Sequence, residues 1–590
     1  MKKLLLTLAF AAMAHIANYA AKAYPGVITI TQDDGTQVDI QLHGDEYLSW
    51  CTTTDGALLV QVGDNYYVAQ VEADGSLKAT PQLAHNANQR SIIEKQVVSS
   101  QDKQSFFNAT QVKAQAIRRN TSISSALPYF PHVGSPKALV LLVQFQDCHF
   151  QTSKPIDVFN HLLNAETGVE APQAIATDYN PKYTNYGSVR QYFSDMSEGI
   201  FTPLFDVKGV VTLSKNYAYY GEDSKTSKDI HYTDMVKEAC ELAKSELGVD
   251  FSEYDADNDG KVDLVYIIHA GYGQNNGGDS NTLWAKTSFN NITTIDGKMI
   301  DAHGINSELN SSQGNYITGI GVLCHEFSHT MGIPDLYPYN TDAYVNNQEP
   351  EYWDLMDAGE YANNGYTPVP YCAWEMEAMG WNAGIEKLGR TPQQISMKPH
   401  LAYRQAYKIE AEDGEYLLLQ NVQRMGWGQG YLSHGLLIYR IDYDKATISL
   451  NYKMNQTPYK PEVTILPADG IILSGYLSGT GKTYTLQEYK ESHWGDTFPG
   501  YKKVNQLLEA KLNNTTLTNL LYNISEDKST GIITFDYLED ITNSIDAPTI
   551  NEGTNQDAQI FTLDGRYLGT DASHLSKGIY IIGKKKVIIK

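Results

Sequence analysis

His325 and His329 stand four residues apart with Glu326 beside the first, in the segment GVLCHEFSHTMGIPDLY from Gly321 to Tyr337. On an α-helix that spacing puts both imidazoles on one face, where two ring nitrogens can grip a single metal ion, and zinc suits the donors. A carboxylate at Glu326 would lie next to the ion, placed to take a proton from zinc-activated water and hand it to a leaving amine. Gly332 lets the chain leave the helix in a left-handed conformation and Pro334 cannot continue it, so the backbone turns back and brings Asp335 as a third ligand. Three protein ligands leave the fourth position to water, the arrangement of a catalytic rather than a structural zinc. Glu349 or Glu351 is the alternative third ligand, although Pro350 disfavours the helix that would present it.

A second acidic group, DADNDGKVD, spaces Asp255, Asp257, Asp259 and Asp263 at alternating positions around Gly260, as a calcium loop requires. Tyr266 occupies the place where an EF-hand has its bidentate glutamate, so a ligand must come from elsewhere. The expected role of calcium is structural.

The elements that must position these residues are readable from hydrophobic pattern. ALVLLVQF from Ala138 and LVYIIHAGYG from Leu264 are apolar runs suited to strands buried on both faces. Residues 187–199 and 229–246 carry a helical period, which gives an α/β (α+β) layout over residues 128–388. Before it, residues 26–82 alternate apolar and polar between Asp34-Gly35, Asp55-Gly56 and Asp74-Gly75, a set of short hairpins. Residues 83–127 read as a polar connector ending near Arg118-Arg119. After about residue 390, EYLLLQNV, GLLIYRID and PEVTILP suggest a β-sandwich over 389–540. Residues 541–590, with the Asp564-Gly565 turn and the strands QIFTL, RYLG, GIYII and KKVIIK, form a compact all-β unit with a basic end.

HExxHxxGxxD followed by WDLMDAG resembles the metzincin clan, whose shared methionine turn beneath the zinc is matched by Met356. Tyr337 extends the likeness to the immune inhibitor A family of secreted bacterial metallopeptidases, as do SVRQYFSDMSEG, YAYYG at Tyr217, IIHAGYG at Ile267, HGLLIYRID at His434 and GDTFPG at Gly495. The resemblance implies a metzincin-like catalytic domain, an N-terminal β-rich propeptide over 24–127 and peptide-bond hydrolysis. The tyrosine that some clan members place two residues after the methionine is missing; Tyr337, Tyr339 and Tyr361 are the candidates to stabilise the oxyanion. Gly44-Asp45 resembles the glycine-aspartate switch of astacin-type zymogens, with Asp45 in the open coordination site and Cys51 as its competitor; the alternative is that Asp45 caps a turn and Cys51 packs in a small core. SKGIYIIGKKKVIIK resembles the sorting domains that Bacteroidota cargo presents to the type IX secretion system, which makes secretion machinery a partner.

The first residues fit export: Lys2 and Lys3, an apolar run from Leu4 to Ala14, and Ala21-Lys22-Ala23 as the end of a signal peptide cut after Ala23. No run reaches the roughly 20 apolar residues of a membrane anchor, so a secreted or cell-surface protein is expected. A formal net charge of −24 over 590 residues argues against nucleic acid partners. Cys51, Cys148, Cys240, Cys324 and Cys372 are scattered without CxxC spacing and leave room for one or two bridges. Protein or peptide substrates are expected; the rival readings are an adhesion protein that keeps a peptidase fold without turnover and a hydrolase of non-peptide esters or amides.

Overall fold

The computed structural model describes residues 17–45, 48–118, 129–166, 185–224, 227–310, 316–338, 343, 346–442, 454–473, 486–541, 559–583 and 585–589. The Leu4–Ala14 run, Arg119 and Tyr339 lie outside them.

The central sheet contains β1 (Ala17–Ala20), β2 (Lys137–Gln144), β3 (Leu204–Thr212), β4 (Val265–Tyr272), β5 (Lys286–Ile295) and β6 (Lys298–Leu309), in the spatial order β1-β5-β6-β4-β2-β3. Strands β3, β2, β4 and β6 run parallel, while β5 is antiparallel to β6 and β1 antiparallel to β5. The parallel part is covered on both sides, which is why β2 is an unbroken apolar run. Its Ala138, Val140 and Leu142 face α1 (Pro155–Asn164), α2 (Val189–Met196) and α4 (Gly321–Thr330), whereas Leu139, Leu141 and Val143 face α3 (Tyr232–Leu247). Helix α3 buries Tyr232, Met235, Val236, Ala239, Cys240 and Ala243, one stripe at helical spacing, and ends at Gly248 with φ 67°. Ser188 caps α2 by accepting from the Gln191 N–H. The expected mixed α/β layout is present.

Six antiparallel strands form an N-terminal meander from Val27 to Leu83, joined by turns in which Gly35, Gly56 and Gly75 have positive φ. The polar stretch after it contains helices Ile92–Ser99 and Lys103–Arg118. Downstream, a five-stranded and a four-stranded sheet share the core of Leu417, Leu419, Leu436, Ile438, Ile395, Leu521 and Phe535. The opposite face of the five-stranded sheet, with Leu418, Tyr439, Val463 and Ile465, joins the α1/α2/α4 core. That sheet begins with Ile385–Lys387, before residue 389, so the packing runs across the position at which the sequence suggested a boundary. Four short strands between Ile560 and Ile589 make the C-terminal sheet. All five cysteines are unbridged.

Helix α4 starts against the segment Ala358–Gly365. A Cβ added at Gly321 would stand 1.8 Å from the Glu360 carbonyl oxygen, so this glycine sets how closely the helix and that segment meet. In an open helix Gly→Ala stabilises by roughly 0.5–1 kcal/mol. Gly321→Ala should instead destabilise by about 1–3 kcal/mol or more, through overpacking. Chemical denaturation checks the sign, and a gain in unfolding midpoint would contradict the close approach.

Candidate functional site

Every residue of α4 is buried. His325 turns Nδ1 to the Leu355 carbonyl at 2.9 Å, and His329 turns Nδ1 to the Ile333 carbonyl at 2.7 Å. A ring nitrogen facing a carbonyl carries the proton, which leaves the Nε2 lone pair for a metal. The two Nε2 atoms are 3.2 Å apart, and Asp335 Oδ1 lies 3.1 Å from one and 3.2 Å from the other. Three lone-pair donors converging in a buried space fit a divalent cation. The same demand appears in His325, where Glu360, Asp335 and Glu326 outweigh burial and raise the imidazole well above its ordinary range. A metal ion meets that demand in place of a proton.

The turn that brings Asp335 back depends on Gly332, at φ 98°, packed against the Tyr129 ring. Met356 is fully buried. Its carbonyl accepts from the Leu336 N–H at 2.9 Å, and the preceding carbonyl is the one that holds His325. One short segment therefore braces two of the three donors. Glu360 follows four residues later, with its carboxylate 3.9 Å from His325 Nδ1. Burial holds it well above the usual carboxylate range. Sequence reading missed it, since a glutamate four residues past a methionine carries no spacing signal of its own.

Glu326 is also buried, which pushes it up to about 7 against the pull of His329 and His325. Its backbone carbonyl accepts from Thr287 Oγ1 at 2.6 Å, tying α4 to β5. Its Oε1 accepts from the Ala21 N–H at 2.5 Å. Ala21 belongs to a segment that fills the cleft. Ala17 to Ala20 pair with Phe289 to Lys286 along β5. The Ala21 carbonyl then accepts from Trp284 Nε1 at 2.7 Å, the Lys22 carbonyl from the Tyr361 hydroxyl at 2.6 Å, and the Tyr24 N–H donates to the Asn275 carbonyl at 2.9 Å. The Lys22 ammonium lies 3.0 Å from both Glu349 Oε2 and Asp357 Oδ1.

Asp45 is placed elsewhere. It closes the turn before Ser49, its carboxylate accepting from the Leu48 N–H at 3.0 Å. Burial pushes the Cys51 thiol up to about 12, so it holds its proton. The residue beside Glu326 is Ala21 rather than either of these. Glu349 and Glu351 do not join the three-donor group either: the first holds Lys22, and the second lies 2.6 Å from His493 Nε2. Of the tyrosines, Tyr337 is buried near Lys22 and Tyr361 faces the cleft segment.

In the acidic loop, carboxylate oxygens of Asp255, Asp257 and Asp263 lie within 4.8 Å of one another. The Lys298 ammonium is 2.5 Å from Asp255, and the Asp259 carboxylate accepts from the Lys261 N–H. Burial, with Asp257, Asp255 and Asp259 nearby, raises Asp263 to about 6.

Residues 127–384 match the model for the catalytic domain of the immune inhibitor A peptidases, family M6. This stretch is thus a metallopeptidase domain, of a hydrolase class, and it holds His325, Glu326, His329 and Asp335. Among curated proteins the chain is similar to the pre-pro-metalloprotease PrtV of Vibrio cholerae serotype O1, 26% identical over 219 residues, covering 33% of this chain and 24% of that protein. It is also similar to immune inhibitor A of Bacillus thuringiensis subsp. alesti, 27% identical over 286 residues, covering 42% of this chain and 40% of that one. The chain spans less than half the length of these relatives.

Deleting a metal donor should weaken metal binding itself. Asp335→Ala is expected to lose its zinc on dialysis while Glu349→Ala keeps it, as read by elemental analysis. The reverse pattern would move the third ligand to Glu349.

Proposed function

We propose that the chain is the precursor of an exported zinc endopeptidase, with the metal on His325, His329 and Asp335 and Glu326 as the general base. The observation that carries this reading is the strand β1 added to β5 with the next amide, Ala21 N–H, at the Glu326 carboxylate. A substrate peptide would lie the same way, its main chain recognised by β-addition. Bound zinc would supply a Lewis acid for the scissile carbonyl and lower the pKa of water. Glu326 takes a proton from the attacking water and delivers it to the nitrogen that occupies the place of Ala21 N; the C–N bond breaks, giving a carboxylate and an amine. Tyr361, whose hydroxyl reaches the carbonyl of the second residue past that nitrogen's bond, orients the substrate chain. Met356 fits the methionine turn of the metzincin clan.

Latency follows from the same geometry. Residues 17–24 occupy the groove that substrate needs, so the uncut chain is silent, and this segment takes the role that the sequence reading gave to Asp45. Ala21, Lys22 and Ala23 are buried and β1 precedes them, so this reading places the export cut before Ala17 rather than after Ala23. Among the described residues no helix is long and apolar enough to cross a membrane. Delivery by a type IX system, through the basic C-terminal sheet, belongs to this proposal. So does calcium in the acidic loop, where the ion would replace the Lys298 ammonium on Asp255.

Three measurements check these points. Glu326→Ala should keep one zinc and lose casein cleavage by about 10²–10⁴-fold, the usual worth of a general base; activity that survives the substitution would refute the role. A chain beginning at Pro25 should cleave casein where one beginning at Ala17 does not, and Asp45→Ala should leave the longer chain silent. Equal activity of the two chain lengths, or activity released by Asp45→Ala, would remove the cleft segment as the cause. Calcium should raise the unfolding midpoint of the parent and not of Asp257→Ala/Asp259→Ala; a parent indifferent to calcium and chelator rules the ion out.

A further inference from the structure

Lys22 of the cleft segment enters the protein by its side chain as well as its backbone. Its ammonium is 3.0 Å from Glu349 Oε2, 3.0 Å from Asp357 Oδ1, and 5.3 Å from the centre of the Tyr337 ring. Both carboxylates are fully buried. The pocket is held together from outside the segment as well. Asp357 accepts the Glu351 N–H at 2.8 Å and the Ala358 N–H at 2.7 Å, and Glu351 in turn faces His493. Two buried carboxylates close to one another are costly unless a cation sits between them. The position is therefore built to receive a positive charge delivered on an extended chain.

Resting on the peptidase reading above, we propose that Glu349 and Asp357 form a substrate subsite that takes a lysine, and next an arginine, as the second residue after the cleaved bond. The register fixes that position. The amide nitrogen at Glu326 belongs to the first residue after the cut, in the segment Ala21, and the side chain in the acidic pocket belongs to the next one, Lys22. Tyr361 holds the carbonyl of that same residue, so main chain and side chain are located together. The inhibitory segment thus carries its own copy of the preferred side chain.

The test uses the chain beginning at Pro25 and fluorescent peptides of sequence NYAAKAY, with lysine, norleucine or glutamate at the fifth position. Binding is measured first, in the Glu326→Ala form, where turnover plays no part. Lysine should bind about tenfold or more tighter than norleucine, which has nearly its shape without its charge, and glutamate should bind weakest. Glu349→Gln should bring the lysine-to-norleucine ratio several-fold towards one, and Asp357→Asn should do likewise. Lysine and norleucine binding equally, no peptide binding at all, or a ratio unmoved in both variants would overturn the subsite. Cleavage by the chain with Glu326 intact is then followed for the same peptides. Selective binding of lysine without any cleavage would refute the peptidase reading and leave the subsite standing, so the two failures are told apart.

Discussion

An excess of carboxylates in a region closed to water governs this protein. Glu326, Asp335, Glu349, Glu351, Asp354, Asp357, Glu360 and Glu375 are all buried on or around α4 and the segment that follows it. Charge taken out of water is tolerated only with a partner or a proton. The chain meets part of the demand itself: Lys22 serves Glu349 and Asp357, His493 serves Glu351, and burial raises Glu360 and Glu375 well above the usual carboxylate range. What remains is the point where Asp335 meets two imidazoles that have already turned their N–H groups to backbone carbonyls. A divalent ion is the natural completion there, and the packing of Met356, Leu355 and Gly321 keeps the three donors facing one another.

Strand addition at the sheet edge links this electrostatic centre to recognition. An edge strand offers unpaired backbone groups to any extended chain that reaches it. In β5 the groups are used by β1, whose continuation passes Glu326 and places Lys22 in the acidic pocket. The N-terminal meander holds the segment from the other side, since the Ala23 N–H donates to the Gly44 carbonyl and Trp284 packs with Ala23, Ile28 and Ile40. In the proposed function, inhibition and substrate recognition are two uses of the same backbone geometry.

Much of this was legible in the sequence because it is local. The four-residue spacing of His325 and His329, the Gly332–Asp335 return and the unbroken apolar runs of β2 and β4 each follow from a few neighbouring residues. The N-terminal hairpins were marked by their Asp-Gly turns in the same way. Other features depend on contacts between distant residues. Ala21 and Glu326 are 305 positions apart, and a segment that looks like the tail of an export signal says nothing of the groove it will fill. Glu349 lies near enough in sequence to resemble a third ligand, and only the fold turns its carboxylate to Lys22 instead. In the acidic loop, the approach of Lys298 from a different strand to Asp255 could not be read from the loop's own spacing. Glu360 became significant for a similar reason, through its approach to His325.

The central claim is that a metal ion sits among His325, His329 and Asp335 beneath the segment that carries Ala21. Anomalous diffraction across the zinc edge, from a crystal of the chain that keeps residues 17–24, tests it most directly. The account predicts a single strong zinc peak between the two Nε2 atoms and Asp335 Oδ1, with the Ala21 nitrogen beside Glu326. A zinc peak at Asp354, Cys372 and Glu375 instead, or none near α4 in crystals grown with zinc, would contradict it.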